Sequence, residues 1–150
     1  MSRPLLFNPI RAREGELEAT LVARAPLLQE LEQAIVADAA GATVRHWLIV
    51  APRGSGKTHV TEALARRVRA RVGWSVVRLP EEAYRVSTVA DLLARIVGDL
   101  EGVDRPFPAE TDPVRIETLA EGRLRRWRAE RGPVLVILEK VTFKSGSAVL

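Results

Sequence analysis

The sequence predicts an α/β fold of three layers with a parallel sheet, on three observations. Short apolar runs at residues 47–50, 74–79 and 134–138 lack the alternation of a half-solvated strand, so each reads as a strand buried on both faces. Segments with helical periodicity separate the runs, which is the element order of a parallel sheet with right-handed crossovers. The first run leads into Ala51-Pro52-Arg53-Gly54-Ser55-Gly56-Lys57-Thr58, a loop with two glycines that opens a helix.

Taken in order, residues 1–24 are broken by Pro4, Asn8-Pro9 and Gly15 and read as an N-terminal arm. Residues 25–139 read as the domain proper, and residues 140–150 as a divergent tail. The first helix begins near Pro26, which suits a first helical turn. Leu27, Leu28, Leu31, Ala34 and Ile35 share one face, and Gly41 suits a left-handed stop. The first strand, 47–50, follows a short link. After the loop a helix is expected from Thr58 to about Val72, with Ala63, Leu64 and Val68 toward the sheet and its arginines largely outward. Pro80 stops the second strand. Ser87 or Thr88 caps the next helix, and Asp91 stands at the position of a capping-box partner. Val89, Leu92, Leu93, Ile96, Val97 and Leu100 form that helix's apolar face. Prolines and acids mark the stretch up to Pro113 as a loop. A further helix runs to about Glu130, and Gly132-Pro133 introduces the third strand.

The chain has 150 residues, 47% of them hydrophobic and 28% charged, as in soluble globular domains with a core of their own. Without cysteine there is neither a disulfide framework nor a thiolate metal site. His46 and His59 lack ligand spacing and read as element-end residues. No apolar stretch reaches the ~18 residues of a membrane span, and the N-terminus lacks the apolar core of a secretory signal. The chain is therefore expected in the cytoplasm. Its net charge of +4 is carried by arginine: residues 1–139 contain all twenty arginines and one lysine, Lys57. Lysine thus stands where a flexible ammonium would meet a phosphate. The tail reverses this usage, with Lys140 and Lys144 and no arginine.

The loop matches a phosphate-binding pattern, G-x-x-x-x-G-K-[ST], with Ala51 in place of the first glycine. In such a loop the glycines let backbone N–H groups wrap around phosphate oxygens, and the helix N-terminus adds partial positive charge. Pro52, Arg53, Gly54, Ser55 and Gly56 form the cradle, Lys57 reaches the outer phosphates, and the Thr58 hydroxyl serves Mg²⁺. The second feature is Val134-Leu135-Val136-Ile137-Leu138-Glu139, an apolar strand ending in an acid. Glu139 at that position can hold Mg²⁺ or polarise a water; many buried strands also end in a carboxylate that merely meets solvent. Lys140 stands where a second acid would, so the sequence supplies one of the two acids used in nucleotide hydrolysis.

With these stretches in view, the chain resembles an AAA+-type P-loop NTPase (Walker A class) of the origin-recognition and initiator branch. Leu21-Val22-Ala23-Arg24-Ala25-Pro26-Leu27-Leu28-Gln29-Glu30-Leu31 is similar to the segment that precedes the loop in that branch and lies over the adenine. Residues 46–58 resemble its first strand and loop, and residues 134–139 its acidic strand. The resemblance implies ATP and Mg²⁺ as cofactors. It places Val22 and Arg24 near base and ribose, residues 54–58 on phosphates and metal, and Glu139 as the metal-side or catalytic acid. It also implies ATP hydrolysis for the full-length family, assembly into a homo-oligomer or larger ATPase complex, and association with DNA. In that family the strand after the acidic one lies between it and the loop strand. Neither this strand, with its sensor, nor the arginine finger and lid is found in the chain. The chain is accordingly expected to be an incomplete P-loop fold of about three strands, the N-terminal portion of a longer ATPase, with a natural short protein as the alternative.

Arg123, Arg125, Arg126, Arg128 and Arg131 cluster around Trp127 in one helix. Such a cluster can contact DNA phosphates, but Glu117, Glu121 and Glu130 dilute it, and a solvated helix face is the preferred reading. Three functions therefore stand: an ATPase module, a nucleotide-binding switch without turnover, and an inactive fragment of a DNA-associated ATPase.

Overall fold

The structure is a computed structural model that describes residues 13, 15–16, 21, 24–41, 46–50, 52, 54–71, 73–80 and 86–139. Most of the expected arm, the link at 42–45, most of the polar connection after Pro80, and the tail lie outside these residues. So do Val22, Ala51 and Arg53. The chain divides into two compact units, Met1–Val72 and Gly73–Leu150.

In the first unit, α1 (Ala25–Ala40) buries Leu28, Leu31 and Ile35, and α2 (Lys57–Arg69) buries Val60, Ala63, Leu64, Ala65 and Val68. In α1 the buried positions recur every three or four residues, as one helix face requires, whereas in α2 burial is continuous from Glu62 to Ala65; the two helices pack together. Glu32 of α1 links them polarly, accepting from Arg71 Nη2 at 2.8 Å and facing Arg67 Nη1 at 3.6 Å. Two expectations are corrected. Gly41 ends α1 with φ −90°, in extended rather than left-handed backbone, its N–H donating to the Asp38 carbonyl. Residues 46–50 lie outside any strand, with Leu48 86% and Val50 81% exposed. Their apolar character suits a buried strand, but a strand exists only where neighbours complete its ladder. Trp47 instead donates its indole N–H to Asp38 at 3.4 Å.

The second unit holds the sheet, two parallel strands among the described residues: β1 (Ser75–Leu79) and β2 (Val134–Leu138). They pair in register from Ser75↔Val134 to Leu79↔Leu138. Two helices fill the crossover that parallel pairing needs, α3 (Val89–Glu101) and α4 (Pro113–Arg131). Thr88 caps α3, and Asp91 completes a capping box with it, as its spacing predicted. Asp112 caps α4 by accepting from the N–H groups of Val114 and Arg115.

Val77 and Leu79 of β1 pack on Ile96 of α3, with Leu92, Leu100, Leu124, Val134 and Val136 around them. A second cluster joins Val97, Ala120 and Phe107, which the proline-rich loop drives into the α3–α4 seam. Val89, expected on the apolar face of α3, is 61% exposed in its first turn. β2 is only partly covered: Ile137 is buried, whereas Leu138 is 43% exposed. Trp127 ties α4 to β1, its indole N–H donating to Ser75 Oγ at 2.9 Å.

The strands begin side by side at two glycines. Gly132 has φ +95°, and a β-carbon there would run into the Gly73 carbonyl oxygen. Gly132→Ala is therefore expected to destabilise the protein by about 1–3 kcal/mol. Gly122 lies exposed inside α4 with open space where a β-carbon would stand. Gly122→Ala is expected to stabilise by about 0.5–1 kcal/mol. Thermal melts of the two variants, moving in opposite directions, check both.

Candidate functional site

The glycine loop takes the shape its sequence predicts. Gly54 and Gly56 have φ of +78° and +79°, the left-handed region that side chains other than glycine rarely enter. Gly56 is the N-cap of α2, so the helix starts at Lys57, one residue before the expected start. Ser55 N–H and Lys57 Nζ both donate to the Pro52 carbonyl, at 3.2 and 2.9 Å. The lysine thereby spans the loop and holds its two ends together. Thr58 is exposed in the first turn of α2, where its carbonyl accepts from Thr61 Oγ1.

Two features leave room for an anion. No atom lies within 4 Å of a β-carbon built on Gly54, so the backbone there is open to close approach. Ser55 Oγ is buried with no hydrogen-bond partner among the described residues. A buried hydroxyl without a partner is destabilising, and a phosphate oxygen would satisfy it. These observations fit a bound phosphate chain. Among the described residues no three His, Cys, Asp or Glu side chains gather to hold a metal. A Mg²⁺ here would have to rest on Thr58, phosphate oxygens and water, the coordination Mg²⁺ commonly keeps in nucleotide sites.

Arg24 also reaches this loop. It is the N-cap of α1, and its guanidinium lies against Gly56, where a β-carbon would meet Nη1 at 2.7 Å. His59, in the first turn of α2, has its pKa lowered from 6.5, first by burial and then by the positive charge of Arg24. Both causes disfavour imidazolium. As pH falls through 6.5 the unfolded chain therefore takes the proton first, and this residue's contribution to stability declines until pH passes below the folded value.

Glu139 follows the last residue of β2, and its N–H extends the ladder by donating to the Leu79 carbonyl at 3.0 Å. Its carboxylate is held by the Arg78 guanidinium. The register explains the pair. Arg78 stands opposite Ile137, and Glu139, two residues on, points to the same face of the sheet. Arg78 is the residue that the sequence reading missed. Its signal was a lone charge inside the apolar run at 74–79, but its partner is 61 positions away.

Three of the six arginines of α4 are engaged within the unit. Arg123 donates to Glu101 at 3.0 Å and to the Pro106 carbonyl at 3.1 Å, and stacks over Phe107. Arg131 lies over Trp127, and Arg125 faces Glu121 at 3.5 Å. Arg126 and Arg128 are exposed. No helix among the described residues is long and apolar enough to cross a membrane.

The geometry around Arg24 is checked by an NMR titration of His59. Its midpoint is expected below 6.5. Arg24→Ala is expected to raise it without restoring 6.5, because burial remains.

Compared with known proteins, residues 20–144 match the family model of the AAA ATPase domain. No curated protein and no solved structure matches the chain. The family match spans the glycine loop, both strands and the terminal acid, and on it the chain belongs to the AAA ATPase domain family, an α/β protein whose small parallel sheet is consistent with an incomplete P-loop fold.

Proposed function

We propose that the chain binds ATP with Mg²⁺ through Pro52, Gly54, Ser55, Gly56, Lys57 and Thr58. The observation that carries this is the pair of left-handed glycines opening α2 at a lysine, in a chain of this family. Backbone N–H groups of the loop and the first turn of α2 hold phosphate oxygens. The Lys57 ammonium, now on the Pro52 carbonyl, turns to the outer phosphates. Ser55 Oγ gains a partner, and the Thr58 hydroxyl serves the metal. Mg²⁺ neutralises phosphate charge when bound. Ala51 and Arg53 belong to the same cradle by sequence, and Val22 to the base side by resemblance.

Hydrolysis, with Glu139 orienting the attacking water or holding the metal, is the fuller family-level reading. So are oligomeric assembly, DNA association and kinship with the origin-recognition branch, which rests on residues 21–31. A second reading, a nucleotide-binding switch that does not turn ATP over, is favoured by one specific observation. The single acid at the end of β2 is committed to Arg78, and Lys140 follows it. A carboxylate whose oxygen is taken by a guanidinium has to release it before that oxygen can orient a water.

Titration with fluorescent ATP and Mg²⁺ tests the binding. The unmutated chain is expected to bind, and Lys57→Ala to weaken binding at least about tenfold, the scale of a lost charge-assisted hydrogen bond. Equal binding by both proteins would contradict the assignment. Phosphate release under single-turnover conditions separates the two readings: turnover lost in Glu139→Gln supports the ATPase, and binding without release supports the switch.

A further inference from the structure

We propose that Arg24 is a phosphate ligand of this site, a second cation aimed at the polyphosphate from the start of α1. The inference rests on the nucleotide-binding reading above and refines it, since resemblance assigns Arg24 to the base and ribose.

Three observations carry it. The Arg24 guanidinium lies against Gly56, the residue that caps α2, so it reaches the loop backbone where phosphate oxygens would lie. The second is electrostatic. Arg24 is itself the N-cap of α1, and neither α1 nor α2 has an acid in its first turn. Two positive helix ends therefore come within one arginine side chain of each other, with Lys57 beside them. Cations at helix N-termini are unfavourable, and acids are the usual occupants. A guanidinium placed at two such helix ends is relieved by an anion of several charges. Third, a guanidinium binds phosphate through two parallel N–H donors, a geometry that the lysine cannot offer. Lys57 then acts as a point charge, and Arg24 fixes the orientation of the chain of phosphates. A purine ring offers Arg24 no negative charge.

The test compares MgATP with magnesium tripolyphosphate, which has the phosphates and no base, in calorimetric titrations of the intact chain. Arg24→Ala is expected to weaken both ligands by the same factor, about tenfold or more, with Arg24→Lys recovering part of the loss. The loss is expected to shrink at high salt, because the contact is between charges. Where circular dichroism shows Arg24→Ala to be unfolded, Arg24→Gln, which keeps length and polarity, is read by the same criterion. Weakened MgATP binding with tripolyphosphate binding unchanged overturns the proposal in favour of a base-side role. Unchanged binding of both ligands overturns it as well. Failure of the unmutated chain to bind either ligand overturns the nucleotide site itself and this inference with it.

Discussion

The turn from Gly54 through Gly56 into α2 sets the electrostatics of the first unit. Both glycines sit at positive φ, a backbone conformation that side chains other than glycine rarely adopt. Once α2 starts at Lys57, its first turn carries unsatisfied N–H groups with no acid to meet them. Lys57 lies across the loop on the Pro52 carbonyl, and the Arg24 guanidinium lies against Gly56. Both of these side chains are cations. Stability alone would favour an acid or a capping side chain here, as Thr88 and Asp112 provide for α3 and α4. α3 and α4 are thus capped by side chains, whereas α1 and α2 have no side-chain cap.

In the second unit some charges are paired: Arg78 with Glu139, Arg123 with Glu101, Arg131 over Trp127. The parallel β1–β2 pairing holds because α3 and α4 cover one face, through Val77, Leu79 and Ile96, and because two glycines let the strands start in contact. Glu139 is one of these paired charges. Any catalytic role for Glu139 would therefore require the Arg78 contact to loosen.

Local chemistry was legible in the sequence. The capping box at Thr88 and Asp91 involves residues three apart, and the structure has it as expected. The left-handed glycines of the loop follow from the loop's own composition. The helices and the strands at the ends of the crossover were legible from periodicity and apolar runs, to within a few residues. What failed depended on partners far along the chain. Residues 47–50 have strand composition, yet a strand is a relation between segments, and composition cannot supply the second segment. Arg78 was passed over because an arginine in an apolar strand acquires meaning only with its acid, 61 positions on. Trp127 looked like the centre of a basic patch, but its indole bonds Ser75, 52 positions earlier, and the ring turns inward. Arg24 was assigned by resemblance, while its approach to Gly56 is a matter of tertiary packing.

The central claim is that phosphate binds on the backbone at the start of α2. Amide hydrogen exchange of the intact chain, with and without MgATP, tests it most directly. The predicted result is that residues 54–60 gain the greatest protection on adding MgATP, with smaller changes elsewhere. Unchanged exchange at those amides, or protection greatest within α3 and α4, would contradict it.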